Sequence, residues 1–112
     1  MAAHAEQPDQ ALARLVQQRR AELQAIVEKI GDIEGDADEH RLVLSTLAEV
    51  HSREPQRTCF RLMGNVLVER TVNDVLPALQ TTYDGLAKVL AELARQFKEK
   101  EAQLQALQKE MK

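Results

Sequence analysis

The chain has 112 residues and a mass of 12.6 kDa, enough for one domain and too little for a catalytic scaffold with a separate substrate domain. It is 44% hydrophobic but only 3% aromatic, so Phe60, Tyr83 and Phe97 alone cannot supply a conventional aromatic core, and the low Gly and Pro content suits long helices instead. The net charge of −3 excludes a protein built to wrap nucleic acid, which needs a basic stripe to displace counterions.

Residues 1–9 read as a flexible N-terminus with no apolar h-region, and no apolar run long enough to span a membrane follows. The single cysteine, Cys59, cannot form an internal disulfide, which fits a reducing compartment. Together these place the chain in the cytoplasm, with the nucleus also open.

From residue 10 to residue 53 the apolar spacing follows a strict 3-4 heptad and predicts a helix. The seam reads Leu12, Val16, Arg19, Leu23, Ile26, Ile30, Ile33, Ala37, His40, Leu44, Leu47 and His51, nine of twelve apolar. Pro8 and Asp9 suit a first turn, and Pro55 stops the helix. Gly31 and Gly35 each cost about 1 kcal/mol against Ala. They lie in an acidic run of Asp32, Glu34, Asp36, Asp38 and Glu39, which marks the softest part of this helix.

Residues 58–70 change period. Thr58 to Met63 and Val66 to Arg70 flank Gly64-Asn65, a two-residue connection that predicts a tight β-hairpin. Pairing about that turn sets Met63 opposite Val66, Arg61 opposite Val68 and Cys59 opposite Arg70 on one face. The other face carries Leu62 opposite Leu67 and Phe60 opposite Glu69. Both faces are partly apolar, and a lone hairpin is marginal in water with two open edges. Phe60, Leu62, Met63, Val66, Leu67 and Val68 are therefore the candidate residues for assembly with other chains.

A second helix is predicted over 72–111, opened by Thr71-Val72-Asn73-Asp74 in the form of a capping box with Asp in the last place. Its seam reads Val72, Leu76, Leu79, Tyr83, Leu86, Leu90, Leu93, Phe97, Lys100, Leu104, Leu107 and Met111, of which eleven are apolar when Tyr83 is counted. The two seams have equal length. Folding the chain back pairs Leu12 with Met111 and His51 with Val72. The expected fold is mainly α, a long antiparallel coiled-coil helical hairpin with a single β-hairpin between its helices.

That plan resembles a β-type subunit of the prefoldin family, and the local sequence carries the likeness further. The run Cys59-Phe60-Arg61-Leu62-Met63-Gly64-Asn65-Val66-Leu67-Val68-Glu69-Arg70-Thr71-Val72, then Val75-Leu76-Pro77-Ala78-Leu79, looks like the subunit 2 branch of that family. So does Glu39-His40 leading to Leu42-Val43-Leu44-Ser45-Thr46-Leu47. The likeness covers roughly residues 10–111, from which Gly31 and Gly35 depart by interrupting helix formers.

The resemblance implies a heterohexameric co-chaperone of two α-type and four β-type subunits, whose hairpins form a double β-barrel platform. Similar proteins bind unfolded nascent polypeptides, actin and tubulin, at the tips of their coiled coils and deliver them to the cytosolic chaperonin without ATP. The partners it implies are two α-type subunits, three further β-type subunits, the chaperonin and those clients, with no nucleic acid and no membrane.

The residues themselves say where a client would meet the chain. Leu12, Leu15 and Val16 at one helix end and Leu104, Leu107 and Met111 at the other combine apolar surface with fraying ends. Client capture and ordinary seam packing both account for them. No catalytic constellation, cofactor motif or metal set appears. His4, His40 and His51 are dispersed, and His40, expected to face Tyr83, reads as a polar seam position. Cys59 has no partner base, and the acidic run lacks a calcium-loop pattern and reads as a solvated face. Arg57, Arg61 and Arg70 read as interface charges. A structural coiled-coil adaptor, or a subunit shared with another prefoldin-like assembly, stays open beside the co-chaperone reading.

Overall fold

A computed structural model describes residues 7–111. In chain order it contains α1 (Pro8–Arg53), β1 (Thr58–Met63), β2 (Val66–Thr71) and α2 (Val72–Glu110). This is the expected architecture of two long helices with one antiparallel hairpin between them. The expected N-terminal segment lies largely outside the described residues, as do His4 and Lys112.

α1 begins two residues before the heptad pattern does. Gln7 acts as its cap: the Gln7 carbonyl accepts the Ala11 N–H at 2.9 Å, and the Gln10 side chain reaches back to accept the Gln7 N–H at 3.2 Å. Pro8 follows at the first helical position, where its missing N–H costs nothing. α1 runs through Gly31 and Gly35 without a break. At its other end Glu54 still donates to the Val50 carbonyl at 2.7 Å before Pro55 ends the ladder.

The chain divides into two compact units. One joins α1 up to Asp32 with α2 from Ala91 onward. Its core is Val16, only 2% exposed, with Leu93 and Leu104, and half-buried Leu12, Leu23, Ile26, Ile30, Phe97 and Leu107 surround these. The spacing that buries them is the predicted seam, because side chains three and four residues apart share one helix face.

The other unit runs from Ile33 to Leu90 and contains the hairpin. Val72, 1% exposed, is its most buried side chain, and Val75, Leu44 and Ala37 are also buried along this unit. The hairpin pairs Thr58 with Thr71, Cys59 with Arg70, Phe60 with Glu69, Arg61 with Val68, Leu62 with Leu67 and Met63 with Val66, the expected register. Gly64 turns the chain at φ +63° while Asn65 keeps a negative φ. That is the pattern of a two-residue turn with glycine in its first central place.

The junction between sheet and α2 is closed by backbone hydrogen bonds. Val72 N–H donates to the Arg57 carbonyl and Asn73 N–H to the Pro55 carbonyl, both at 2.9 Å. Thr71 Oγ1 accepts the Asp74 N–H at 3.3 Å, the N-cap bond predicted from the sequence. Between the helices, His51 Nε2 lies 2.9 Å from Asn73 Oδ1. α2 then passes through Pro77 unbroken.

Candidate functional site

The hairpin presents two unlike faces. Cys59, Arg61 and Val68 are half-buried on one of them, toward the base, while Met63 and Val66 beside the turn are exposed. On the other face Phe60, Leu62 and Leu67 are each 66% exposed, with Glu69 as the polar member of the row. Five of the six predicted assembly residues thus stand in solvent and Val68 does not. Full burial of a Leu or Phe side chain is worth about 1.5–3 kcal/mol. The bare face therefore stores several kcal/mol of association free energy.

The backbone adds to this. A sheet of two strands leaves the outer N–H and C=O groups of both strands without ladder partners, and such edges template pairing with another chain. Arg57 stays 3.9 Å from Glu54, and Arg70 donates to the Glu69 carbonyl at 3.0 Å. These charges rim the sheet without covering it.

A second candidate region lies where α1 begins and α2 ends. Val16 and Leu104 are buried in the seam there, Leu12, Leu15 and Leu107 are half-buried, and Met111 is 44% exposed. Two surface grooves open among them. One, of about 320 Å³, is lined by Asp9, Leu12, Glu110 and Met111. The other, of about 360 Å³, is lined by Leu15, Arg19, Gln103, Ala106, Leu107 and Glu110. Of the acidic walls, the sequence marks Asp9 as a first-turn residue and Glu110, with Lys109 and Lys112, as a charged helix end that either steers clients or is simply solvated; that Asp9 and Glu110 wall one groove is seen only in the structure.

Farther along, Glu22 bridges the helices. Arg19 Nη1 approaches Glu22 Oε1 at 2.9 Å and Lys100 Nζ approaches Glu22 Oε2 at 3.3 Å. Partial burial pushes the Glu22 carboxyl up, but contact with the Lys100 ammonium and the charge of Arg19 outweigh it and hold the carboxyl below its ordinary value. On the outer face of α2, Arg95 is clamped between Glu92 at 2.6 Å and Glu99 at 2.9 Å. Hydrogen bonds from Arg95, and then from Gln96, lower the Glu92 carboxyl. Solvent screens the pairs around Arg95, which orient side chains on the helix surface more than they stabilise the fold.

His40 is half-buried on α1. Its Nδ1 lies 2.9 Å from the Asp36 carbonyl of its own helix, and it lines a groove of about 150 Å³ with Glu39, Val43 and Leu79. Asp38 of the acidic run pairs with Arg41 at 2.9 Å. Among the described residues no cluster of three His, Cys, Asp or Glu side chains could hold a metal ion.

Two long helices that carry between them one solvent-exposed antiparallel hairpin define a coiled-coil class of fold. Comparison with known proteins agrees: the family described as prefoldin subunit matches residues 10–112. The probable prefoldin subunit 2 of Schizosaccharomyces pombe is 44% identical over 110 residues, covering 96% of this chain and 94% of that protein. Human prefoldin subunit 2 is 39% identical over 85 residues, 76% of this chain but 53% of the human protein, so the chain spans about half that relative's length. The prefoldin beta subunit of Thermococcus strain KS-1 has the same fold, with a TM-score of 0.79 at 19% identity, covering 98% of this chain and 94% of that one. The chain belongs to the prefoldin subunit family, a family of chaperones and not of enzymes.

Proposed function

We propose that this chain is one β-type arm of a heterohexameric prefoldin that holds unfolded nascent proteins, actin and tubulin among them, at its helix tips. It passes them to the cytosolic chaperonin without ATP and works in the cytoplasm. Membership of a family of subunits makes other prefoldin subunits its partners. The observation that carries the reading is the bare face of Phe60, Leu62 and Leu67 on a sheet with two open edges. A free-standing tether has no use for such a face, whereas a shared barrel needs it. At the tips, several arms holding one chain by weak apolar contacts would gain affinity through avidity, without a deep pocket. The polarizable, flexible Met111 suits such a surface.

The test is co-expression with α-type and β-type partners, light scattering after size exclusion, and suppression of aggregation of unfolded actin without ATP. A species of six chains that suppresses aggregation is expected. Leu67→Asp should exclude the chain from that species, because the charge would have to enter the shared sheet. Leu107→Ser with Met111→Ser should leave assembly intact and weaken holding. A discrete homodimer indifferent to unfolded protein would sink the proposal and favour a coiled-coil tether.

A further inference from the structure

The two tip grooves share one wall, Glu110, and the first has a second carboxylate, Asp9, on its rim. Both carboxylates are exposed, and neither has an ion-pair partner among the described residues. Among the described residues the one cation lining either groove, Arg19, is already engaged by Glu22 at 2.9 Å. Lys109 and Arg14 line neither groove. The floor is apolar, with Leu12 and Met111 in one groove and Leu15, Ala106 and Leu107 in the other. An apolar floor walled by Glu110 in both grooves, and by Asp9 as well in the first, complements one kind of segment: a large apolar side chain next to Lys or Arg.

We infer that this arm selects, within an unfolded client, extended segments in which an apolar residue is flanked by basic ones, seating the apolar side chain on Leu12 and Met111 or on Leu15 and Leu107 and the cation against Asp9 and Glu110. The inference rests on the reading that clients are held at these tips. Apolar contact supplies the hold, and charge chooses among the segments. A segment flanked by Glu would bring like charges together at the rim and leave the groove.

A photo-crosslinking residue at Gln103, which lines the second groove, reports on this arm inside the assembled complex. Two peptides are compared, identical except that Lys or Glu flanks a central Leu-Phe pair. The Lys peptide should crosslink about three- to tenfold more, the ratio two exposed charge contacts provide. The preference should vanish in the double variant Asp9→Asn, Glu110→Gln, and in about 1 M salt, where the screening length falls to ~3 Å. Equal crosslinking of both peptides would overturn charge selection while leaving capture at the tip intact. Crosslinking of neither, in a complex that still suppresses aggregation, would remove the tip reading as well. If deleting residues 1–6 raises both peptides alike, the groove's occupant is this chain's own N-terminus and the inference falls.

Discussion

Gly64 and the pair Gly31 and Gly35 are one residue type under opposite demands. Gly64 holds φ +63°, where a Cβ crowds the following carbonyl whatever space surrounds it. Gly31 and Gly35 lie within α1, and a Cβ built on either meets nothing within 4 Å. Gly64→Ala should therefore destabilise the chain by about 1–2 kcal/mol. Gly31→Ala and Gly35→Ala should each stabilise it by up to about 1 kcal/mol. Denaturant melts followed by helix signal check both signs. Glu22 offers a different residue-scale test. Its carboxyl is held below its ordinary 4.5, so the folded chain binds fewer protons than the unfolded chain in that range. The stabilisation is complete above about pH 4.5 and is lost as the pH falls through the lowered native value. Glu22→Gln should flatten that acid limb in thermal melts from neutral to acidic pH; an unchanged acid limb would show that the Lys100 contact carries no stability.

Along each element, exposure decides what a substitution does. Leu67 is exposed and Val68 half-buried one residue later, because neighbouring strand residues point to opposite faces. Leu67→Asp should shift the thermal midpoint of the free chain by less than the equivalent of about 0.5 kcal/mol. Val68→Asp should lower it clearly, since a charge would enter partly covered surface. Most of this level was legible from spacing. All twelve predicted α1 seam positions are buried or half-buried, as are those of α2 apart from Met111. The hairpin register follows from Gly64-Asn65. What escaped the reading has physical causes. The start of α1 is set by Gln7 and Gln10 acting through an amide side chain, not by a Ser or Thr cap. Val75 is buried, in the unit that contains the hairpin, though it lies outside the heptad seam that a two-helix template predicts. The tip grooves depend on which flanking side chains meet across two helices, and no one-dimensional period encodes that.

For the molecule as a whole, the proposed assembly would make stability and association one equilibrium. Both cores are narrow, with three buried hydrophobic side chains in one unit and four in the other among the described residues, while the hairpin leaves Phe60, Leu62 and Leu67 in water. Binding partners that meet only the folded hairpin stabilise it by mass action. The thermal midpoint should therefore rise when α-type and β-type subunits are mixed in, and rise further with their concentration; Leu67→Asp should abolish that rise. A midpoint indifferent to partners would mean that the sheet does not enter the interface.

That bare face also bears on how much of the chain a cell keeps. A copy without partners displays three large apolar side chains on a sheet with open edges, the kind of surface that aggregation and chaperone or protease triage act upon. A copy in the proposed complex would hide them. The same three residues proposed to bring subunits together would thus act as a stoichiometry gauge. The lifetime of this chain would track the supply of its neighbours, and synthesis in excess would yield turnover in place of accumulation.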